Sequence, residues 1–324
     1  MTRAIRFHAH GGPEVLQWEE ISLAPPGPGE ARIRHTAVGL NFVDTYVRSG
    51  LYPAALPSGL GGEAAGVVEA VGDGVEDLAP GDRVAYGNGP LGAYAEARII
   101  PADRLVKLPH AVDDRTAAAM MLKGLTAQYL LRQTYAVKKG DTILCHAAAG
   151  GVGLILCQWA KHLGATVIGT VSSDEKAALA RAHGCDHAIV YTREDFVARV
   201  AEITNGAKVP VVYDSVGKDT FMRSLDCLAP RGLMVSFGNA SGAVESFNLG
   251  VLATKGSLYV TRPTLATHVA KREALVAMAS ELFDVVRSGA VKIEIRQTYP
   301  LRDVARAHRD LEGRRTTGST VLVV

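Results

Sequence analysis

The sequence predicts an α/β fold with two parts: a β-rich segment and a doubly wound parallel sheet. Three observations carry this. Residues 142–163 read TILCHAAAGGVGLILCQWAKHL, a short apolar run, a glycine turn and a helical apolar pattern. Beyond Lys123, apolar runs alternate with helical patterns at the spacing of βα units. Before it, runs of four to nine residues are separated by Gly/Pro turns.

The first part opens with expected strands at residues 4–7, 15–18, 30–38, 66–71 and 83–86. Turns at Pro25-Pro26-Gly27-Pro28-Gly29 and Ala79-Pro80-Gly81-Asp82 punctuate them, and little helix is expected. A short helix can open in GLNFVDTY (residues 39–46), SGLYP (49–53) places a tyrosine on a turn, and LGGEAAG (60–66) leads into a strand.

In the second part, residues 124–132 read helical and precede the glycine unit. Strands follow at 165–171, 187–190, 210–213, 232–237 and 258–260, with helices to about 183, near 195–204 and at 219–228. Strand and helix alternating this way imply parallel pairing with right-handed crossovers. The last stretch reads as a helix over 268–288, a strand at 291–295, a helix at 303–311 and a strand at 318–324.

At 324 residues the chain is long enough for about two domains. Its 35 Lys and Arg against 33 Asp and Glu leave a net charge of +2. Near-neutral charge without a basic run interleaved with aromatics argues against nucleic acid as a partner. The four cysteines (Cys145, Cys157, Cys185 and Cys227) form no C-x-x-C pair, and buried thiols are expected. Residues 1–10 lack the apolar core of a signal peptide, and no stretch approaches a membrane span, so a cytoplasmic location is expected.

Strand, tight glycine turn and helix together are the context of a dinucleotide fingerprint. At Gly150, Gly151 and Val152 a phosphate can approach bare backbone at a positively polarised helix N-terminus. Ala148 stands where the first glycine of G-x-G-x-x-G would be. The alternative is a glycine turn that only packs strand on helix. At the next strand end, where NAD sites usually carry an acid, this chain has Ser172 and Ser173, with Lys176 one turn on. Two hydroxyls and an ammonium suit a 2′-phosphate, and one charge-assisted hydrogen bond there is worth roughly 1.5–3 kcal/mol. NADPH is therefore the expected cofactor. Asp174 partly offsets that preference, and the alternative has Ser173 capping a helix whose solvated face carries Lys176.

GLNFVD, LGGEAAGVVEAVG, PGDRV and AAAGGVG, in that order, resemble the medium-chain dehydrogenase/reductase superfamily. SGLYP, LKGLTAQYLL, HAAAGGVGLI, VVYDSVGKDT, GLMVSFGNASG and KGSLYVTRP resemble its NADPH:quinone oxidoreductase branch, called zeta-crystallin-like, almost end to end. The resemblance implies a GroES-like catalytic domain from residues 1–125 and 261–324, and a Rossmann NADPH-binding domain from 126–260. It implies zinc-independent reduction of a small quinone in the inter-domain cleft. Where the zinc alcohol dehydrogenases have a cysteine, a histidine and a further cysteine, this chain has Asn41, Gly62 and a position near Lys123, and Glu63 is retained. No comparable zinc ligands remain, and a metal-free protein is expected.

A quinone is already electrophilic, so the protein has mainly to position and polarise it. Asn41 is the first candidate for a hydrogen bond near the nicotinamide or the quinone oxygen. Tyr46 and Tyr52 are candidates for polarising or protonating the reduced oxygen, the alternative being packed amphipathic rings. The resemblance adds cofactor contacts from Thr126, Tyr129, Ser215 and Arg262. It also places Tyr191 beside the adenosine, Phe237, Gly238 and Asn239 near the nicotinamide, and Arg314 on the cofactor. Tyr191 as a packed loop aromatic and Arg314 as a helix C-terminal charge are the structural alternatives. Residues 256–263 resemble the stretch that pairs across a two-fold axis, which implies a homodimer through the Rossmann domain; an internal strand fits the same residues. Two rival classes stay open: an enoyl or alkenal reductase of the same superfamily, and a non-catalytic NADPH- or RNA-binding protein.

Overall fold

The computed structural model describes residues Met1–Val324. The chain forms two compact units: Met1–Leu125 with His268–Arg287 and Ile293–Val324, and Thr126–Thr267 with Ser288–Lys292.

The first unit begins with β1 (Thr2–Phe7) and β2 (Gln17–Ile21), an antiparallel pair. The strand expected at 15–18 starts two residues late. Pro13 opens a 3-10 turn over Pro13–Val15, having no N–H to give a ladder and a fixed φ that suits a helical first turn. Next come β3 (Glu30–Leu40), the expected short helix α1 (Phe42–Ser49), β4 (Ser58–Gly59), β5 (Ala64–Val71) and β6 (Arg83–Tyr86). β7 (Ala97–Pro101), not among the expected strands, pairs with β3, and β8 (Val106–Lys107) pairs with β6.

The helix expected at 124–132 begins ten residues earlier, as α2 (Asp114–Tyr129), and ends in a π turn over Leu130–Thr134. Asp113 caps it by accepting from the Thr116 N–H at 2.9 Å. Ala117 to Met121 are fully buried all round, so no apolar stripe betrays the helix.

In the second unit, β9 (Thr142–Cys145), α3 (Gly151–His162), β10 (Thr166–Val171), α4 (Asp174–Ala182), β11 (His187–Val190), α5 (Phe196–Ile203) and β12 (Val209–Asp214) follow in turn. The helix expected at 219–228 shrinks to α6 (Phe221–Ser224) and a 3-10 turn, because Leu228 already belongs to β13 (Leu228–Ser236). α7 (Gly250–Thr254) and β14 (Tyr259–Thr261) complete a six-stranded parallel sheet ordered β11-β10-β9-β12-β13-β14. Its order reverses around β9, as in a doubly wound sheet.

The helix expected over 268–288 is two: α8 (Leu265–His268) and α9 (Arg272–Arg287). Arg104 takes the Val269 carbonyl at 3.1 Å, within the break between them. The strand expected at 291–295 is likewise displaced, to β15 (Ile295–Pro300). The Gln158 amide holds both backbone groups of Lys292, accepting its N–H at 2.9 Å and donating to its C=O at 3.0 Å, so that residue joins no ladder. α10 (Val304–Glu312) and β16 (Ser319–Val323) end the chain, and β15 and β16 extend the first unit's sheet beside β3. No helix is long and apolar enough to cross a membrane.

Two glycines shape the first unit's interior. A Cβ on Gly39 would stand 2.1 Å from Glu63 Oε2 and 2.3 Å from the Ala118 carbonyl. One on Gly87 would stand 2.4 Å from the Leu122 nitrogen. Bare backbone at both points lets α2 lie against the sheet, within reach of Glu63.

Candidate active site

Asn41 is the N-cap of α1, where β3 turns into helix. It forms a capping box with Asp44, whose Oδ2 accepts the Asn41 N–H at 2.9 Å. The Asn41 Nδ2 donates to Glu63 Oε2 at 2.7 Å. The Glu63 carboxylate, wholly buried, also accepts from Lys123 Nζ and from the Leu122 N–H, each at 2.8 Å.

Behind Asp44 runs a second buried chain. Tyr94 Oη donates to Asp44 Oδ2 at 2.7 Å and lies 3.2 Å from His308 Nε2. Arg48, itself buried, donates to His308 Nδ1 at 3.0 Å and pairs with Glu312 at 2.6 Å. Because Arg48 can only donate, the imidazole hydrogen sits on Nε2 and points at Tyr94. Burial, helped by Arg48, lowers the His308 pKa to about 3, so the ring is neutral. Burial raises the Asp44 carboxyl to about 7; the hydrogen bonds from Tyr94 and the Asn41 N–H, and the Lys123 charge, oppose the rise.

Tyr46 lies on α1, buried, with its ring centroid 5.6 Å from Phe42 and 5.3 Å, edge-on, from Tyr52. Tyr52 donates its backbone N–H to the Tyr46 carbonyl at 3.0 Å and packs partly buried against the core. Asn41, Tyr46 and Tyr52 thus share one helix and the turn after it. Arg314 belongs to the same unit, just past the end of α10, with φ 57° and its N–H on the Leu311 carbonyl.

In the second unit the candidates follow strand ends. Gly150 is the N-cap of α3 and Gly151 its first residue, with Val152 next, after the turn that leaves β9. Gly153 packs where a Cβ would be 2.3 Å from the Ala147 carbonyl. Ser172 follows β10, Tyr191 follows β11, Ser215 follows β12, Phe237 to Asn239 follow β13, and Arg262 follows β14. Arg262 donates to Ser236 Oγ and the Gly238 carbonyl, both at 3.0 Å. The Tyr129 hydroxyl is hydrogen-bonded to Thr126; burial raises its pKa, and the Arg262 charge opposes the rise.

Ser173 caps α4, accepting from the Lys176 N–H at 3.3 Å. Asp174, exposed, is gripped bidentately by Arg193 at 2.5 Å. Thr192 ties the two loops by donating to the Ser172 carbonyl at 3.2 Å. Arg193 escapes the sequence reading because 19 residues separate it from Asp174.

The zinc-binding dehydrogenase family model matches residues 151–280, and the alcohol dehydrogenase GroES-like model matches residues 27–110. The quinone oxidoreductase of Pseudomonas aeruginosa is 61% identical over 324 residues, covering 100% of both chains. The chain belongs to the quinone oxidoreductase family of the medium-chain dehydrogenase/reductase superfamily. Within that superfamily, the solved structure of Escherichia coli quinone oxidoreductase complexed with NADPH matches with a TM-score of 0.98 at 55% identity, covering 99% of this chain and 100% of that one. The 2-haloacrylate reductase of a Burkholderia species is 49% identical over 330 residues, covering 100% of this chain and 99% of its own. The GroES-like and Rossmann expectations thus hold. No cluster of three or more His, Cys, Asp or Glu side chains is placed to hold a metal ion.

Proposed function

We propose that this protein reduces quinones with NADPH and without zinc. The second unit holds the cofactor, and Asn41, Tyr46 and Tyr52 of the first act on the quinone. The observation that supports it best is the Asn41–Glu63–Lys123 cluster. The one carboxylate is taken up by an ammonium and two N–H donors, which leaves a neutral, donor-rich site suited to positioning an oxygen.

The cofactor fits the second unit's own features. Gly150 and Gly151 open backbone N–H groups at the start of α3. No acid follows β10 directly, and Asp174 is neutralised by Arg193. Phe237, Gly238 and Asn239 are assigned to the nicotinamide, Tyr191 to the adenosine, and Ser172, Ser173 and Lys176 to the 2′-phosphate; Thr126, Tyr129, Ser215, Arg262 and Arg314 are further cofactor contacts. When bound, the reduced nicotinamide supplies a hydride. In this reading Asn41 orients the acceptor by donating an amide hydrogen. Tyr46 or Tyr52 delivers a proton to the reduced oxygen from its hydroxyl.

Arg193 adds a second cation to the phosphate site. Arg193→Ala is expected to weaken NADPH roughly three- to tenfold and leave NADH unchanged, the modest size reflecting its exposure. Asp174→Ala, which releases Arg193, is expected to tighten NADPH. Lys176→Ala should weaken NADPH more than NADH. Fluorescence titration of both cofactors measures all three, and equal effects on NADH and NADPH would remove these residues from the phosphate site.

The reaction is tested by NADPH oxidation against quinones, enones and 2-haloacrylate, with and without a chelator. Quinone turnover that prefers NADPH and ignores the chelator is the expected result; loss of turnover in chelator overturns zinc independence. The Burkholderia relative favours one second reading, reduction of a conjugated double bond, and faster turnover of 2-haloacrylate than of any quinone would establish it. The same proposal gives the edge of β14, where Tyr259 is 60% exposed, to a second copy of the chain, and sedimentation at micromolar concentration tests this. Four free, buried thiols fit a reducing compartment such as the cytoplasm.

A further inference from the structure

We propose that Lys123 is a positioning residue for the reduction: acting through Glu63, it dictates which face the Asn41 amide presents to the acceptor. The inference rests on the reading that Asn41 touches quinone or nicotinamide.

The argument starts from donor and acceptor types. An ionised carboxylate only accepts, so Glu63 Oε2, 2.7 Å from Asn41 Nδ2, compels the amide to turn its NH2 inward. The capping box with Asp44 uses the same side chain from the helix side. One Nδ2 hydrogen then has no acceptor in the chain, although Asn41 is only 5% exposed. That hydrogen is the donor the site offers.

The arrangement holds only while Glu63 Oε2 stays where the Asn41 amide can reach it. A buried carboxylate that loses its cation partner must find other donors, and it can swing away from Nδ2 to do so. Asn41 would then be free to rotate and lose the outward donor. Lys123 Nζ, 2.8 Å from the same Oε2 and 5% exposed, is the cation that pins it there. The Leu122 N–H on Oε1 adds a third donor but no charge. Replacing a buried ion pair by apolar side chains of similar volume is often neutral or stabilising, so folding alone does not require this one.

The decisive variant is Glu63→Met/Lys123→Met, which removes both charges and keeps the volume. A folded double variant with kcat reduced at least tenfold, and KM for NADPH within twofold of wild type, is expected. Wild-type kcat in that folded variant would overturn the inference and leave the pair a packing device. Asn41→Ala separates the two readings. If Asn41→Ala is slow while the double variant is fast, only the role of Lys123 falls. If Asn41→Ala is itself as fast as wild type, the reading of Asn41 falls and the inference with it. Should the double variant not fold, Lys123→Arg replaces it, because it keeps the charge while changing the shape. Retention of kcat within a few-fold supports the charge argument, and a loss as deep as in Lys123→Met, with both proteins folded, overturns it.

Discussion

Asp44→Asn is expected to steepen the rise in stability with pH between about 4 and 6.5, and to remove the fall from 6.5 to 7, because it deletes a contribution that opposes two buried histidines. Burial raises the Asp44 carboxyl from 3.8 to about 7 in the fold. The folded state therefore holds this proton more tightly than the unfolded chain does. Its contribution is complete below pH 4 and is lost as pH rises through 7, a change on the order of 4 kcal/mol. The groups facing it are Tyr94, the Asn41 N–H, Lys123 and Glu63. His35 and His308 work in the opposite sense. Burial lowers them to about 4 and about 3, so both are neutral in the fold and their contribution is lost as pH falls below 6.5. The wild type should thus be most stable at intermediate pH, and the variant's stability should climb toward neutrality and level off. The asparagine amide can still offer one oxygen to both donors that Asp44 Oδ2 now serves, so the variant is expected to fold. Urea midpoints at four pH values from 4.5 to 7.5 measure the difference. Parallel curves for the two proteins would show that Asp44 is ionised throughout.

Gly153→Val should disable the second unit. The added Cβ alone would meet the Ala147 carbonyl oxygen at 2.3 Å and the Ala148 backbone at 2.8 Å. Ala147 already sits at φ 53°, so the turn has little room to yield. α3 would have to lift off β9 and β10, and overpacking of this kind costs about 1–3 kcal/mol or more. Loss of NADPH binding is expected together with a lowered melting temperature. Gly150→Ala is the control for the melting temperature alone, since Gly150 itself is proposed to face the phosphate: its Cβ would approach the same oxygen only to 3.2 Å, and φ −80° suits any residue. Normal melting and normal NADPH titration in Gly153→Val would mean that the turn does not depend on the missing side chain.

Much of the second unit is legible because its signals are local. A parallel strand buried on both faces reads as an apolar run, and a glycine turn between run and helix marks its own place. The order of β9, α3, β10 and α4, and the serines after β10, follow from such runs. α2 stays hidden from its start to Gly124 because a helix buried all round carries no stripe. The helix break at Val269 and the displacement of β15 depend on side chains far away in the chain, Arg104 and Gln158.

The sequence by itself determined the α/β class, the strand–glycine–helix unit and the residue types at each strand end. Only the tertiary structure decided how the charges pair. Glu63 meets Lys123 across 60 residues of chain, and Tyr94 meets His308 across 214. No periodicity encodes such meetings. They arise when strands and helices stack into layers and a buried polar group must be satisfied by whatever side chain the fold brings within reach.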